Sequence, residues 1–331
     1  MTAPSTALNG YRPDLGTMFE FDEEMNRRGF IGNRVLPVFE SAVQAGTYGK
    51  VPLKELLKEP QVGRNDRGDY NRFSFAFEDD TFATKERGLE MPMDRRRARM
   101  YRQFFDFETA CTAATLGAVL RAQEKRIADA IFNATTFTSY TAAVTNEWND
   151  HTSATPVTDV GKAVRLVWEA TGLWANALII NRRVFRNLRM CDEVTDMVAS
   201  SGAGASIEPS KITTQTLASV FDLKHILVAG SARNSATEGQ DASIASVWSD
   251  EYAMVACINE PGDSIEMPGL GRIIHWGEDG STIGGTIETY YEDSSRGDVV
   301  RVRHDIDEKI RYTACGYLLS NIIDATLTGT P

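Results

Sequence analysis

Cysteine is scarce in this 331-residue chain, and its four thiols, Cys111, Cys191, Cys257 and Cys315, form no CxxC pair. Such wide spacing excludes a zinc ribbon or a disulfide-built scaffold and fits free, buried thiols in a reducing compartment. Histidine is as rare. His151, His225, His275 and His304 stand alone, without an HxH or HExxH arrangement. They supply no metal-ligand set and read as surface or supporting histidines. No run of 18 apolar residues occurs, so no helical membrane span is expected. The opening MTAPSTALNGYRPDLG lacks the basic and apolar regions of a signal peptide.

Phosphate-cradling and nucleophile motifs are missing too. Gly161-Lys162 is followed by alanine and belongs to no Walker loop, and the glycine pattern begun by Gly202 and Gly204 fails at Ile207. No GxSxG elbow exists. Two acidic groups invite a mechanistic reading. Asp192, Glu193 and Asp196 follow an apolar helix, where capping or exposure accounts for them. Asp305, Asp307 and Glu308 alternate with Ile306 between strand-like segments and read as a charged hairpin tip, not a divalent-ion site. Nothing assembles nucleophile, base and oxyanion donor, so the chain is expected to be no enzyme and to use no cofactor.

A basic surplus is also absent. The net charge is −11, and residues 238–298, with 13 acids against Arg272 and Arg296, carry all of it. A chain this acidic lacks the electrostatic footprint of a protein built to grip nucleic acid. Its 42% hydrophobic and 24% charged content is that of a globular protein able to bury a large core.

Residues 1–47 are mixed and polar, with one apolar pattern (Phe30, Ile31, Val35, Leu36, Val38, Phe39) broken by Pro37. They read as an arm with one short strand and little core of its own. Tyr48–Leu53 suggests a strand, and Phe73, Phe75 and Phe77 alternate as a second. Between them lies KELLKEPQVGRNDRGDY, the long charged tip of a hairpin that is marginal alone and needs something to lie on. Residues 94–134 hold no proline and carry Met100, Phe104, Phe107, Cys111, Ala114 and Ala118 at helical spacing, with Asp94 as cap. This spacing predicts a helix of up to about 40 residues, roughly 60 Å long. Arg95, Arg96, Arg97 and Arg99 crowd its first turns, where the helix dipole disfavours cations; either an acidic partner or plain hydration accounts for them.

Beyond it a helix carrying Val160, Val164 and Val167 ends at Gly172, and ALII (177–180) is a buried strand. A helix follows from about Arg183, then a small-residue loop (200–210), a helix over 214–221 and a strand over 225–230. Another strand is expected over 253–258, and the tail from Ile283 to Leu319 is strand-rich. The class is α+β.

An arm, a projecting charged hairpin, a long strut and no reaction centre also resemble, in that order, the major capsid proteins of tailed phages. These share the HK97-like fold with encapsulins. GFIGNRVLPVFESAVQAGTYGKVP (29–52) is similar to the family's arm leading into its extended loop, and residues 94–134 to its spine helix. Residues 159–194 and 217–258 resemble segments of its axial domain, and VRVRHDIDEKIRYTACGYLLSNI (300–322) its closing strands.

The resemblance implies an N-terminal arm (1–47), an extended loop (48–93), a peripheral domain with the spine helix (94–154 and 300–331) and an axial domain (155–299). It implies a structural protein that self-assembles through pentamers and hexamers into an icosahedral shell around double-stranded DNA, held without sequence preference. The shell would form in the host cytoplasm and persist as the virion capsid. Contacts between copies are expected at Lys54, Glu55, Lys58, Glu59, Arg64, Asp66, Arg67, Asp69, Arg95, Arg96 and Arg97. The short stretch before the loop leads us to expect a separate scaffolding protein, beside a portal, and no membrane partner. An encapsulin-like compartment and a soluble enzyme are the alternatives.

Overall fold

The computed structural model describes residues 10–11, 29–64, 68–74, 76–101, 106–199, 208–294 and 296–323. Strand β1 (Gly10–Tyr11) is followed by helix α1 (Gly32–Val35) and strand β2 (Val38–Ser41). Phe30, Ile31, Val35 and Leu36 are buried, the last three against Ile127, Ala128 and Ile131. From residue 29 onward the segment therefore belongs to the core, contrary to the expectation of an arm with little core. Four large apolar side chains within seven residues are too much surface to leave in water.

Strands β3 (Ala45–Lys50) and β4 (Glu78–Ala83) form an antiparallel ribbon, in register from Ala45↔Ala83 to Lys50↔Glu78. Between them, loop 51–77 carries one helical turn, α2 (Leu53–Leu56). The second strand was expected at Phe73–Phe77 and lies later; among the described residues of that stretch none is in a strand. Phe82, not the phenylalanine alternation, finds a buried neighbour in Tyr48, and burial on one face decides register.

Strand β5 (Lys85–Asp94) leads into α3 (Arg95–Tyr101) and then α4 (Phe107–Ile131). The expected single helix is thus two. Asp94 accepts from Arg96 N at 2.7 Å and caps α3 as predicted. Asp106 accepts from Glu108 N at 3.1 Å and starts a second helix inside a run whose apolar spacing reads as continuous. The 25 residues of α4 span about 37 Å.

Next come β6 (Thr141–Ala143), α5 (Pro156–Thr171), β7 (Ala177–Asn181), α6 (Arg182–Leu188) and α7 (Asp192–Val198). Helix α5 starts on Pro156 and stops at Gly172 in the left-handed conformation (φ 74°), as its sequence predicts. Helix α8 (Thr214–Phe221) and strand β8 (His225–Ala229) match their expected spans. The remaining strands are β9 (Ala232–Asn234), β10 (Ile244–Ser246), β11 (Ala253–Ala256), β12 (Gly271–Trp276), β13 (Thr286–Glu292), β14 (Gly297–Ile310) and β15 (Gly316–Ser320).

Two sheets organise these elements. The first runs β1-β13-β14-β12-β2, with β5 along the other edge of β14. Asp305, Asp307 and Glu308 lie inside β14, so the hairpin tip expected there is instead the middle of the longest strand. The second sheet runs β6-β15-β11-β7-β8 and buries one face under α5, α6, α7 and α8. Strands β12 and β13 pair in the first sheet although they fall within 155–299, while β6 and β15 pair in the second although they fall outside it. A shared core, with Leu36, Ile131, Phe137, Ile179, Trp248, Met254 and Ile273, welds the two sheets together.

Candidate functional site

The ribbon stands on a small polar and aromatic root. Tyr48 and Phe82 pack on Ile274, and the Tyr48 hydroxyl donates to Asp80 Oδ2 at 2.9 Å. Lys309 Nζ lies 2.9 Å from Asp80 Oδ1 and donates to Thr81 O at 3.0 Å. Arg311 lies over the Tyr48 ring, and Lys50 over Tyr312, whose hydroxyl donates to Val51 O at 3.1 Å. Burial and the bond to Asp80 push the Tyr48 phenol up to about 12. Partial burial opposes ionisation of Asp80, yet the bonds from Lys309 and Tyr48 outweigh it and hold that carboxyl low.

Beyond this root the loop turns outward. Val62 is 90% exposed, Tyr70 74% and Leu57 61%. Leu57 touches Gly172 at the end of α5 and is otherwise open. Of the expected contact residues, Lys54, Glu59, Arg64 and Asp69 are exposed, and Glu55 pairs with Lys58. Arg64 donates to Gly68 O at 2.6 Å and covers the Tyr70 ring. Asp66 and Arg67 lie outside the described residues.

Arg95, Arg96 and Arg97 form a separate exposed group at the start of α3. The expected acidic partner exists for one of them: Arg95 Nη2 is 3.2 Å from Asp298 Oδ1, with its guanidinium over Tyr291. Asp94, Arg95, Arg96, Arg99, Met100 and Arg296 line an open cleft of about 450 Å³.

Two groups of joining residues were not foreseen. Glu124, on α4, is buried; its Oε1 accepts from Ile31 N (2.8 Å) and Trp248 Nε1 (2.6 Å), and its Oε2 from Gly32 N (2.9 Å). One carboxylate thereby joins α4, the start of α1 and the segment before β11. Burial pushes its pKa up, and the three donors pull it back only in part. The second group is three consecutive residues of β14. Asp307 accepts from Ala83 N at 3.2 Å, Glu308 takes Arg126 of α4 at 2.6 Å and Arg87 of β5 at 3.7 Å, and Lys309 holds the ribbon. The alternation of acidic and apolar residues was visible in the sequence; which elements lay on either side was not.

Of the acidic group at 192–196, Glu193 caps: it accepts from Val157 N at 2.8 Å and Thr158 Oγ1 at 2.9 Å at the start of α5. The histidine reading needs correction, since His275 and His304 are buried in the first sheet. Cys111, Cys191 and Cys315 are buried and Cys257 half-buried, all free. Among the described residues no three His, Cys, Asp or Glu side chains gather as a metal site, and no helix is long and apolar enough to cross a membrane.

No family model matches the sequence. The major capsid protein of Pseudomonas phage JBD67 is 22% identical over 300 residues, covering 89% of this chain and 92% of that protein. A phage-related protein from Bordetella bronchiseptica superposes with a TM-score of 0.65 at 18% identity, covering 95% of this chain and 98% of its own. The chain has the HK97-like capsid fold. The capsid structure of cyanophage P-SCSP1u matches as well, with a TM-score of 0.53 at 8% identity over 86% of this chain and 84% of that one. The resemblance read from the sequence is therefore borne out along nearly its whole length. Among the described residues, the ribbon with its exposed loop and the Arg95 cleft are two features that stand open to solvent.

Proposed function

We propose that this chain is the structural subunit of an icosahedral phage shell enclosing a DNA genome, with no catalytic role. The observation that carries the reading is loop 51–77, anchored at its root and presenting Leu57, Val62 and Tyr70 to solvent. Large apolar side chains exposed along one projection suit a surface that meets a partner. In a shell the partner is a neighbouring copy, reached head to tail, and heterologous contacts of this kind close into pentameric and hexameric rings. Lys54, Glu55, Lys58, Glu59, Arg64, Asp66, Arg67 and Asp69 would fix its register on that neighbour.

On this reading the second sheet, with α5 to α8, is the axial unit around five-fold and six-fold positions. The first sheet, with α4, is the peripheral unit. A separate scaffolding protein and a portal serve assembly in the host cytoplasm, and the packaged duplex is held without sequence preference. The test is expression of the full chain alongside a deletion of 54–69, followed by sedimentation and electron microscopy. Wild type should yield closed particles, while the deletion should keep its far-UV spectrum and melting transition yet remain unassembled. A deletion that still forms particles, or a wild type that stays monomeric when co-expressed with a scaffolding protein, removes the basis of the proposal.

A further inference from the structure

The cleft at the start of α3 deepens that reading and rests on it. Arg95 is neutralised by Asp298, and one oxygen of Asp94 is occupied by Arg96 N. The Arg96, Arg99 and Arg296 side chains have no ion-pair partner among the described residues, although all three line one cleft. Three guanidiniums facing a single carboxylate make this a cationic recess on a chain of net charge −11. Copies so acidic repel one another, and assembly gains from a local site of opposite sign that both steers approach and fixes register.

Five of the 13 acids in the strongly acidic stretch form ion pairs within the chain. Asp250 takes Arg183, Glu260 takes Lys224, Asp279 and Glu288 take Arg303, and Asp298 takes Arg95. The ribbon differs. Glu78 and Asp79 are adjacent, exposed and without an ion pair among the described residues, on the element that projects from the fold. We propose that the Arg96–Arg99–Arg296 cleft receives the Glu78–Asp79 carboxylates of a second copy of this chain. Arginine suits the task because its planar fork grips a carboxylate through paired hydrogen bonds.

Charge reversal tests this directly. R96E/R99E and E78R/D79R are expressed separately and then combined on one chain, with wild type as the control for shell formation itself. Each pair alone should lower particle yield at least tenfold while leaving the monomer's melting transition within a degree or two of wild type. The combined variant should recover most of the yield. The milder R96Q/R99Q serves if reversal disturbs folding, with a smaller loss expected. Wild-type particles together with an R96E/R99E variant of unchanged yield overturn the inference and leave the shell reading intact. Failure of the combined variant to recover overturns the choice of Glu78 and Asp79. Particles that form normally but retain less nucleic acid reassign the cleft to phosphate and likewise overturn it. A wild type that never assembles removes the shell reading first.

Discussion

Removing the Glu124 carboxylate should be among the most damaging single changes to this fold. The side chain is buried on α4 and accepts from three donors: Ile31 N, Gly32 N and the Trp248 indole. Hydrogen bonds to a charged group contribute about 1.5–3 kcal/mol each, and an orphaned buried donor costs about 1–3 kcal/mol. Relief of the buried charge offsets part of this. E124A should therefore lose about 4–6 kcal/mol, a large share of the 5–15 kcal/mol typical of whole domains. E124Q is the discriminating control. Its amide oxygen can replace Oε1, which serves Ile31 and Trp248, but its NH₂ then faces the Gly32 N–H, donor against donor. The expected loss is about 2 kcal/mol, one bond's worth.

Urea unfolding followed by far-UV circular dichroism at neutral pH measures both, under conditions where the protein is unassembled. The sign of the pH dependence is also fixed. The folded-state pKa of Glu124 is raised, so the stabilisation from binding its proton is full below the unfolded value, about 4.3, and is lost as pH rises through the folded value. Wild type should gain on E124Q as pH falls. An E124A loss below about 1 kcal/mol, or an E124Q loss equal to that of E124A, refutes the three-donor account.

His304 gives a pH effect of opposite direction. Burial and the nearby Arg126 push its imidazole down to about 4, so stability falls as pH drops from about 6.5 to that value, by about 3 kcal/mol; H304Q should flatten this part of the profile. Gly297 pairs with Asp94 across the β5–β14 ladder, so close to β5 that an added Cβ would strike the Met93 carbonyl. G297A should cost about 2–3 kcal/mol in the same unfolding assay. Burial pushes the Cys191 and Cys315 thiols up to about 12, so a neutral-pH thiol reagent should label no more than one group in the native chain and all four after unfolding. K309A should quicken proteolysis of loop 51–77 with little loss of global stability. E308A, which strips Arg126 of its partner, should cost about 3 kcal/mol globally.

Elements with local signals were legible in the sequence. Helix α5 lies between Pro156 and Gly172, α8 follows its Thr213 cap, and β7 is a continuous apolar run, so each could be placed from its own residues. The division of the long helix was written in Asp106 but overshadowed by uninterrupted apolar spacing, because periodicity records a face and not a backbone break. The second ribbon strand was misplaced for a related reason. Phe73 and Phe77 keep strand period, but the pairing is decided by Phe82 meeting Tyr48 and Ile274, contacts between residues far apart in the chain. The same limit hid Glu124 and Trp248, which meet across 124 positions of sequence. The site residues were chosen by charge on a projecting loop, and exposure agrees for Lys54, Glu59, Arg64 and Asp69. Arg99 already stood in the arginine run at 95–99, whereas Arg296 required the fold to bring α3 beside the turn before β14.

The three charges at 307–309 explain how so exposed a loop can be aimed. Successive side chains of a strand point to opposite faces, so Asp307 and Lys309 reach one side of β14 while Glu308 reaches the other. Asp307 and Lys309 hold the ribbon strand, at Ala83, Asp80 and Thr81. Glu308 holds α4 through Arg126 and the strand β5 through Arg87. Ribbon and spine are thus fastened to opposite faces of one strand within three residues, and that strand is paired along both edges, by β5 on one and by β13 and β12 on the other. A hinge would need slack at this point, and the charge pairs remove it. The direction of the ribbon relative to α4 is therefore a property of the folded chain. Under the proposed shell reading, in which one contact recurs in rings of five and of six, this fixed root sets the direction in which the loop leaves each copy.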